Sequence, residues 1–548
     1  KAEMRANLAE KALTLPFKCN IMKLSKQKGR RSAPFGRVPL MDRKQWLDTA
    51  VFYEIYPTSF FDSDGDGVGD VEGIIQKLDY VAGLGCNGIW LNPLFCSPFR
   101  DGGYDVADYK RVDPRFGTNE DLVRLFKEAK KRGVRILLDL VPGHTSDTHP
   151  WFKKSAEAER NGYSDYYIWS PNVWTDARGE GLRTVNGMCP RDGNYAVNFF
   201  SMQPALNYGY AAPDEPWQMH WQDERLLPLR REIEDVMRFW LSLGCAGFRV
   251  DMAASLVKND ADKSATCALW REMFSVIRRE FPEAVFVSEW SDPPRAVGEA
   301  GFDMDFFLHF GACERAYMSL FRRGADSVFA RGSKAGFTLF FDTFEEMRAQ
   351  LCGNGFLAVP GGNHDMVPRL CDGKDEAVAK AAYAFLCTLP SVPFFYYGDE
   401  IGMTYQALHS KDGGYDRTGS RTPMRWGGGK NAGFSQAETT YLPMGAGETA
   451  ESMEAREGSL LHTVRALSHL RRAQPALAAS SELRVLQKEG VAVYEREGGG
   501  QKLLVAVNPN GAAVSLPFAA GKVLAAEGCT LRGGTLAFTD AGYMIAQV

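Results

Sequence analysis

The stretch CAGFRVDMAASLVKNDADKSATCALWREMFSVIRREFPEAVFVSEW (residues 245–290) carries the pattern that decides the fold. Two short apolar runs, CAGFRVDMA (245–253) and AVFVSEW (284–290), bracket a helical segment, and both end on charged residues, Arg249 and Asp251 in the first and Glu289 in the second. A continuous apolar run of this length indicates a strand buried on both faces, as in parallel sheets whose strands are joined through helices. The same unit recurs in both directions. VFYEIYP (51–57), GIWLNPL (88–94) and VRILLDLVP (134–142) precede it, and FDMDFF (302–307), FLAVPGGNHD (356–365) and PFFYYGDE (393–400) follow, making eight runs. Eight units predict an α/β fold built on a (β/α)8 TIM barrel, with an open doubly wound sheet as the alternative that the pattern leaves standing.

About 100 residues separate the third run from the fourth, far more than an ordinary connection. Their first part, rich in Gly, Asn, Asp, Tyr and Trp, predicts an irregular subdomain over 146–205, inserted into a barrel formed by 41–145 and 206–474. After SLLHTVRALSHLRRAQ (459–474) the pattern changes to short runs such as VAVYERE and KLLVAVNPN, separated by Gly, Asn and Pro. Residues 475–548 therefore read as an antiparallel β-sandwich. The first 40 residues carry ten Lys or Arg against two Glu and read as a basic leader, disordered or foreign to the fold, ahead of a natural start at Met41.

The net charge of −4 over 548 residues argues against nucleic acid or an anionic membrane as partner. No run of about 18 apolar residues offers a membrane span. Eleven scattered cysteines without a CxxC pair suit reduced thiols in a cytoplasmic protein. A small neutral ligand fits this balance, and the 12% aromatic content supplies rings for sugar faces.

Acids at strand ends are the groups that glycosidic cleavage needs: one carboxylate to meet the anomeric carbon and one carboxylic acid to protonate the leaving oxygen. Asp251, Glu289 and Asp365 hold such places. GFRVDMAAS (247–255), VFVSEW (285–290), GGNHD (361–365) and DLVPGHTS (139–146) resemble the four signature regions of glycoside hydrolase family 13, the α-amylase family. GIWLNPLF, GYDVADYKRVDPRFGT, QPALN, GDEIGM and SRTPMRW resemble further family segments in the same order, and DSDGDGVGD with RTPMRW is most similar to the oligo-1,6-glucosidase and α-glucosidase branch.

That resemblance implies a retaining α-glycoside hydrolase acting on a short oligosaccharide or disaccharide, without an organic cofactor. Carried over by position, Asp251 attacks the anomeric carbon, Glu289 donates and later removes the proton, and Asp365 binds ring hydroxyls and stabilises the transition state. Arg249, two residues before Asp251 on one strand face, is expected to favour an ionised nucleophile. Tyr104 and Asp105 match the positions that stack on and hydrogen-bond the non-reducing glucose, with Asp101 close by; His144 and His364 match hydroxyl-binding histidines. Phe200 and one of Arg417 or Arg421 are expected in the same wall. Gly143 and Ala205 stand where the family usually has Asn and Asp, and Gly143 speaks against the calcium site of typical α-amylases. Met252 is neither of the usual residues at a position tied to linkage preference.

Asp62, Asp64, Asp66 and Asp70 form a second constellation, since alternating acids separated by glycine can wrap oxygens around a hard cation. An EF-hand is excluded because the twelfth position is Gly73. The same residues resemble the calcium or magnesium loop after the first barrel strand in the related branch, which implies a structural Ca2+ or Mg2+ also held by the Val68 carbonyl. Two other classes remain at this point: a transglycosylase or isomerase of the same family, which keeps the triad, and a non-catalytic relative serving as a binding subunit, expected to lose acids from it. Composition says nothing of the oligomeric state.

Overall fold

The computed structural model describes residues 41–176, 182–186 and 189–548; the basic segment 1–40 lies outside the described residues. Eight parallel strands close into a barrel: β1 (Phe52–Ile55), β2 (Gly88–Leu91), β3 (Arg135–Leu140), β4 (Gly247–Val250), β5 (Val285–Ser288), β6 (Met304–Phe306), β7 (Phe356–Pro360) and β8 (Val392–Tyr396). Each lies in one of the eight apolar runs, in chain order around the ring, and the pairing Phe52 with Phe394 closes β1 onto β8. The strands are buried on both faces, so the continuous runs are what the barrel requires.

Side chains fill the interior. The Phe52 and Phe394 rings stack at 4.4 Å, Phe306 meets Phe394 edge-on at 4.8 Å, and Trp90 adds a third direction against Phe306. Gly88 has to lack a side chain, because a Cβ there would lie 2.5 Å from the Phe52 ring. Outside, the helix Ser264–Glu280 between β4 and β5 buries Leu269, Trp270, Met273, Phe274 and Ile277, an i, i+4 stripe laid on the sheet.

The long connection between β3 and β4 carries its own antiparallel pair, Arg183–Asn186 with Asn194–Val197. It is fastened back to the barrel rim by the bridges His144 to Ala205 and Tyr167 to Leu206. The C-terminal domain is an antiparallel sheet of six strands: β9 (Glu482–Gln487), β10 (Ala492–Gly498), β11 (Gln501–Asn508), β12 (Val514–Pro517), β13 (Val523–Arg532) and β14 (Thr535–Gln547). Long β14 carries β12 beside its first half, β11 beside its second, and β13 along its other edge. Alternate side chains face two ways: Leu503, Val505, Tyr543 and Ile545 join the barrel core, while Leu504, Ala506, Phe538 and Met544 form a separate cluster. Among the described residues no helix is long and apolar enough to cross a membrane.

Candidate active site

Parallel strands deliver their C-terminal ends to one face, and there the polar residues of distant runs converge. A cavity of about 520 Å3 opens on that face, lined by Asp101, Tyr104, His144, Asp251, Glu289, Asp365 and Arg417 together with more apolar groups. Of the residues singled out in the sequence, these seven and Met252 line it.

Arg249 organises the floor. It is 1% exposed, and its Nη1 lies 2.8 Å from Asp139 Oδ1 and 2.9 Å from Asp251 Oδ1 while Nη2 lies 2.8 Å from Glu289 Oε1. Three carboxylates thus share one guanidinium. Glu289 Oε2 also accepts the Met252 N–H at 3.0 Å, so it touches the residue that follows Asp251, which is in the left-handed region at φ 42°. Burial and the charge of Glu289 push the Asp251 carboxyl well above the usual carboxylate range, outweighing Arg249. Arg249 favours the ionised form of Asp251, as expected, but a cation divided among three buried acids offsets only part of their desolvation and repulsion. Asp139 is likewise pushed up to about 6 by burial, against the pull of Arg249.

The opposite wall has the reverse balance. Asp365 Oδ1 is held by Arg417 Nη1 at 2.8 Å and Arg421 Nη2 at 2.9 Å, and Oδ2 lies 3.0 Å from His364 Nε2. Against the burial that would raise it, His364 and the two arginines hold the Asp365 carboxyl well below the usual range. Burial alone would lower His364, but Asp365 and Glu54 outweigh it and its pKa rises. Its Nδ1 lies 2.7 Å from Glu54 Oε1. Tyr104 joins the two walls: its hydroxyl lies 2.7 Å from His364 Nε2 and donates to Asp139 Oδ2 at 2.9 Å. Both Arg417 and Arg421 therefore serve Asp365, Arg417 from the cavity wall and Arg421 from beneath it.

His144 is neutral, its pKa lowered to about 3 by burial. Its Nδ1 faces the Asn198 amide nitrogen at 3.2 Å and so accepts, which leaves Nε2–H without a partner at the cavity edge. Asn198 also explains Gly143: a Cβ there would lie 2.6 Å from Asn198 Nδ2. Lys258, lowered to about 7 by burial, donates to Asn198 Oδ1 and the Ser255 carbonyl, so an ammonium fills this junction.

Two expected contacts are displaced. Asp105 is fully buried and does not line the cavity: its carboxylate accepts from Ser97 Oγ and the N–H groups of Arg100 and Asp101, shaping the turn that presents Asp101 instead. Asp101 in turn binds Arg417 Nη2 at 3.2 Å and Gln203 Nε2 at 2.8 Å. The aromatic at the wall is Phe199, with Phe200 packed between it and Tyr415. Sequence reasoning also missed Glu54 and Asn92, whose signal was a polar residue inside an apolar strand run, and Lys263 and Phe310, which lie in loops and gave none.

The profile described as "Alpha amylase, catalytic domain" matches residues 54–480 of the chain. The protein belongs to the α-amylase family. Among its relatives are the trehalose synthase/amylase TreS of Mycobacterium tuberculosis, 34% identical and covering 80% of this chain and 76% of its own. The oligo-1,6-glucosidase of Heyndrickxia coagulans is 31% identical, covering 85% of this chain and 92% of its own. Among solved structures, the α-glucosyl transfer enzyme XgtA superposes with a TM-score of 0.76 at 26% identity, covering 92% of this chain and 99% of its own. The trehalulose synthase MutB of Pseudomonas mesoacidophila gives 0.75 at 27% identity, with the same shares.

The Asp62 loop lies apart from this cavity's lining. Asp62, Asp64 and Asp70 bring one oxygen each within 4.8 Å of one another. None of the three forms an ion pair among the described residues. Asp66 instead accepts the Val68 N–H at 2.7 Å and stands outside that group. Gly65 and Gly67 take φ of 84° and 96°, which lets the loop turn around the three acids. Burial and the neighbouring acids raise Asp70, and raise Asp66 similarly.

Proposed function

We propose that the protein cleaves short α-glucosides with retention of configuration, Asp251 forming a glycosyl ester and Glu289 acting as acid and then base. The observation that carries this reading is the single guanidinium of Arg249 holding both carboxyls at the floor of a cavity of disaccharide size. In the reactive arrangement Glu289 carries the proton and passes it to the glycosidic oxygen as Asp251 attacks the anomeric carbon; Glu289 then removes a proton from the incoming hydroxyl, which displaces the ester from the face the leaving group vacated. Asp365, kept ionised by its arginines and His364, accepts ring hydroxyls and offsets the positive charge that develops on the sugar, with His144, Tyr104, Asp101 and Arg417 ordering the ring.

A second reading, transfer of the glycosyl group to a sugar hydroxyl, draws support from the apolar part of the cavity lining. There Met252, Ala254, Trp290, Phe310 and Phe199 present apolar surface that disfavours water. The similarity to the trehalose synthase/amylase TreS and to the α-glucosyl transfer enzyme XgtA points the same way. NMR of the first product from maltose, isomaltose, sucrose and trehalose tests both: α-glucose supports retaining hydrolysis, new disaccharides support transfer, and β-glucose as first product excludes double displacement.

The same reading places a structural Ca2+ or Mg2+ on Asp62, Asp64 and Asp70, the converging acids that pair with no ammonium or guanidinium among the described residues. Chelation is expected to lower thermal stability by about 2–3 kcal/mol, restored by adding either ion. A melt indifferent to chelator and ion removes the metal from the account.

A further inference from the structure

Asp305 on β6 is fully buried and forms no ion pair among the described residues. Its Oδ1 accepts from Ser288 Oγ at 2.7 Å, from the Trp290 N–H at 3.1 Å and from the Ser291 N–H at 3.3 Å, and its Oδ2 accepts from the Asp292 N–H at 2.8 Å. Four donors from five consecutive residues, 288 to 292, converge on one carboxylate. The residue left out is Glu289, whose N–H goes to Val250 O on β4 while its side chain enters the cavity.

The turn needs holding. Ser291 is in the left-handed region at φ 57°, a conformation that strains a residue with a Cβ and persists only where its surroundings impose it. The loop after β6 completes the grip: the Leu308 N–H donates to Ser291 Oγ at 3.1 Å and the Ala312 N–H to Ser291 O at 2.9 Å. Gly311 allows this closeness, since a Cβ there would lie 2.7 Å from Ser291 O. Burying a carboxylate without a cation is costly, so one whose acceptors all serve a single turn calls for an explanation beyond the core.

We propose that Asp305 is a positioning residue for proton transfer: it clamps the 288–292 turn so that the Glu289 carboxyl stays aligned with the leaving oxygen. The inference rests on the acid/base reading of Glu289. General acid assistance matters for leaving groups that must be protonated, such as a sugar hydroxyl, and matters little for fluoride. Misalignment of Glu289 therefore separates substrates, whereas general damage to the fold lowers all of them together.

The test compares kcat/KM, which reports cleavage to the ester, for α-glucosyl fluoride and for the best-cleaved of maltose, isomaltose, sucrose and trehalose. Asp305→Asn is expected to lose about 30-fold on the disaccharide and under about 3-fold on the fluoride. Equal losses on both overturn the proposal. Glu289→Gln is the control and should show the same split, larger. If it shows none, the acid/base reading fails and takes this inference with it; if it does while Asp305→Asn does not, the clamp alone is lost. Should Asp305→Asn fail to fold, Ser288→Ala removes one donor only, with an expected split of about 3-fold; equal losses there overturn the clamp as well.

Discussion

Asp251 and Asp365 face the same cavity and differ in the company they keep. Asp365 is met by two guanidiniums, that of Arg417 shared with Asp101, and by His364, shared with Glu54, and together they hold its carboxyl well below the usual carboxylate range. Asp251 shares one guanidinium with Asp139 and Glu289, and burial with Glu289's charge drives its carboxyl the other way. The difference teaches how one site keeps a permanent anion and a mobile proton a few ångströms apart. Environments that push paired carboxyls in opposite directions are what acid/base chemistry at one sugar ring requires.

The sharpest break of this comparison is Asp251→Asn, expected to lower kcat/KM on any cleaved α-glucoside by about four orders of magnitude, because it removes the attacking atom rather than a contact. Activity within about tenfold of wild type would reject the nucleophile assignment.

Stability comes next. Asp365→Asn leaves Arg417, Arg421 and His364 without their anion and is expected to cost about 2–4 kcal/mol in chemical denaturation at pH 7. A depressed carboxyl contributes stability that is present above its unfolded value of about 3.9 and is lost as pH falls through the folded value. The gap between wild type and Asp365→Asn should therefore hold from neutral pH down to about 4 and close below it; a gap that persists into strong acid means that the charge is not what stabilises.

Smaller is His144→Ala, which removes one donor to a sugar hydroxyl and is expected to lower kcat/KM about tenfold while leaving the melting temperature nearly unchanged. The smallest effect has the opposite sign. A raised carboxyl contributes stability present below its unfolded value and lost as pH rises through the folded one, so Asp251→Asn should be more stable than wild type at neutral pH, by about 1 kcal/mol. A stability loss in that variant would show that Arg249 outweighs burial at Asp251.

The barrel was legible because strands buried on both faces spell continuous apolar runs, and a charged residue at the end of such a run, as at Asp251, Glu289 and Asp365, stands out against them. Roles within loops were less so. Asp101 and Asp105 sit four apart in one turn, and only the turn's hydrogen bonds decide which faces the cavity and which is spent on backbone. Phe199 and Phe200 are adjacent aromatics that point to different neighbours for the same reason. Asp305, in plain view within FDMDFF, carried no sign of its four donors, because they lie 13 to 17 residues earlier on a different strand and its turn.

By itself the sequence determined the eight strand-and-helix units, the set of acids that could do chemistry and the loop that could hold a cation, since periodicity and residue type are local properties. Tertiary structure alone decided how the charges are divided: three carboxylates on Arg249, two arginines and a histidine on Asp365. Electrostatic balance depends on distances across the barrel mouth between residues up to hundreds of positions apart, and closing the barrel sets those distances.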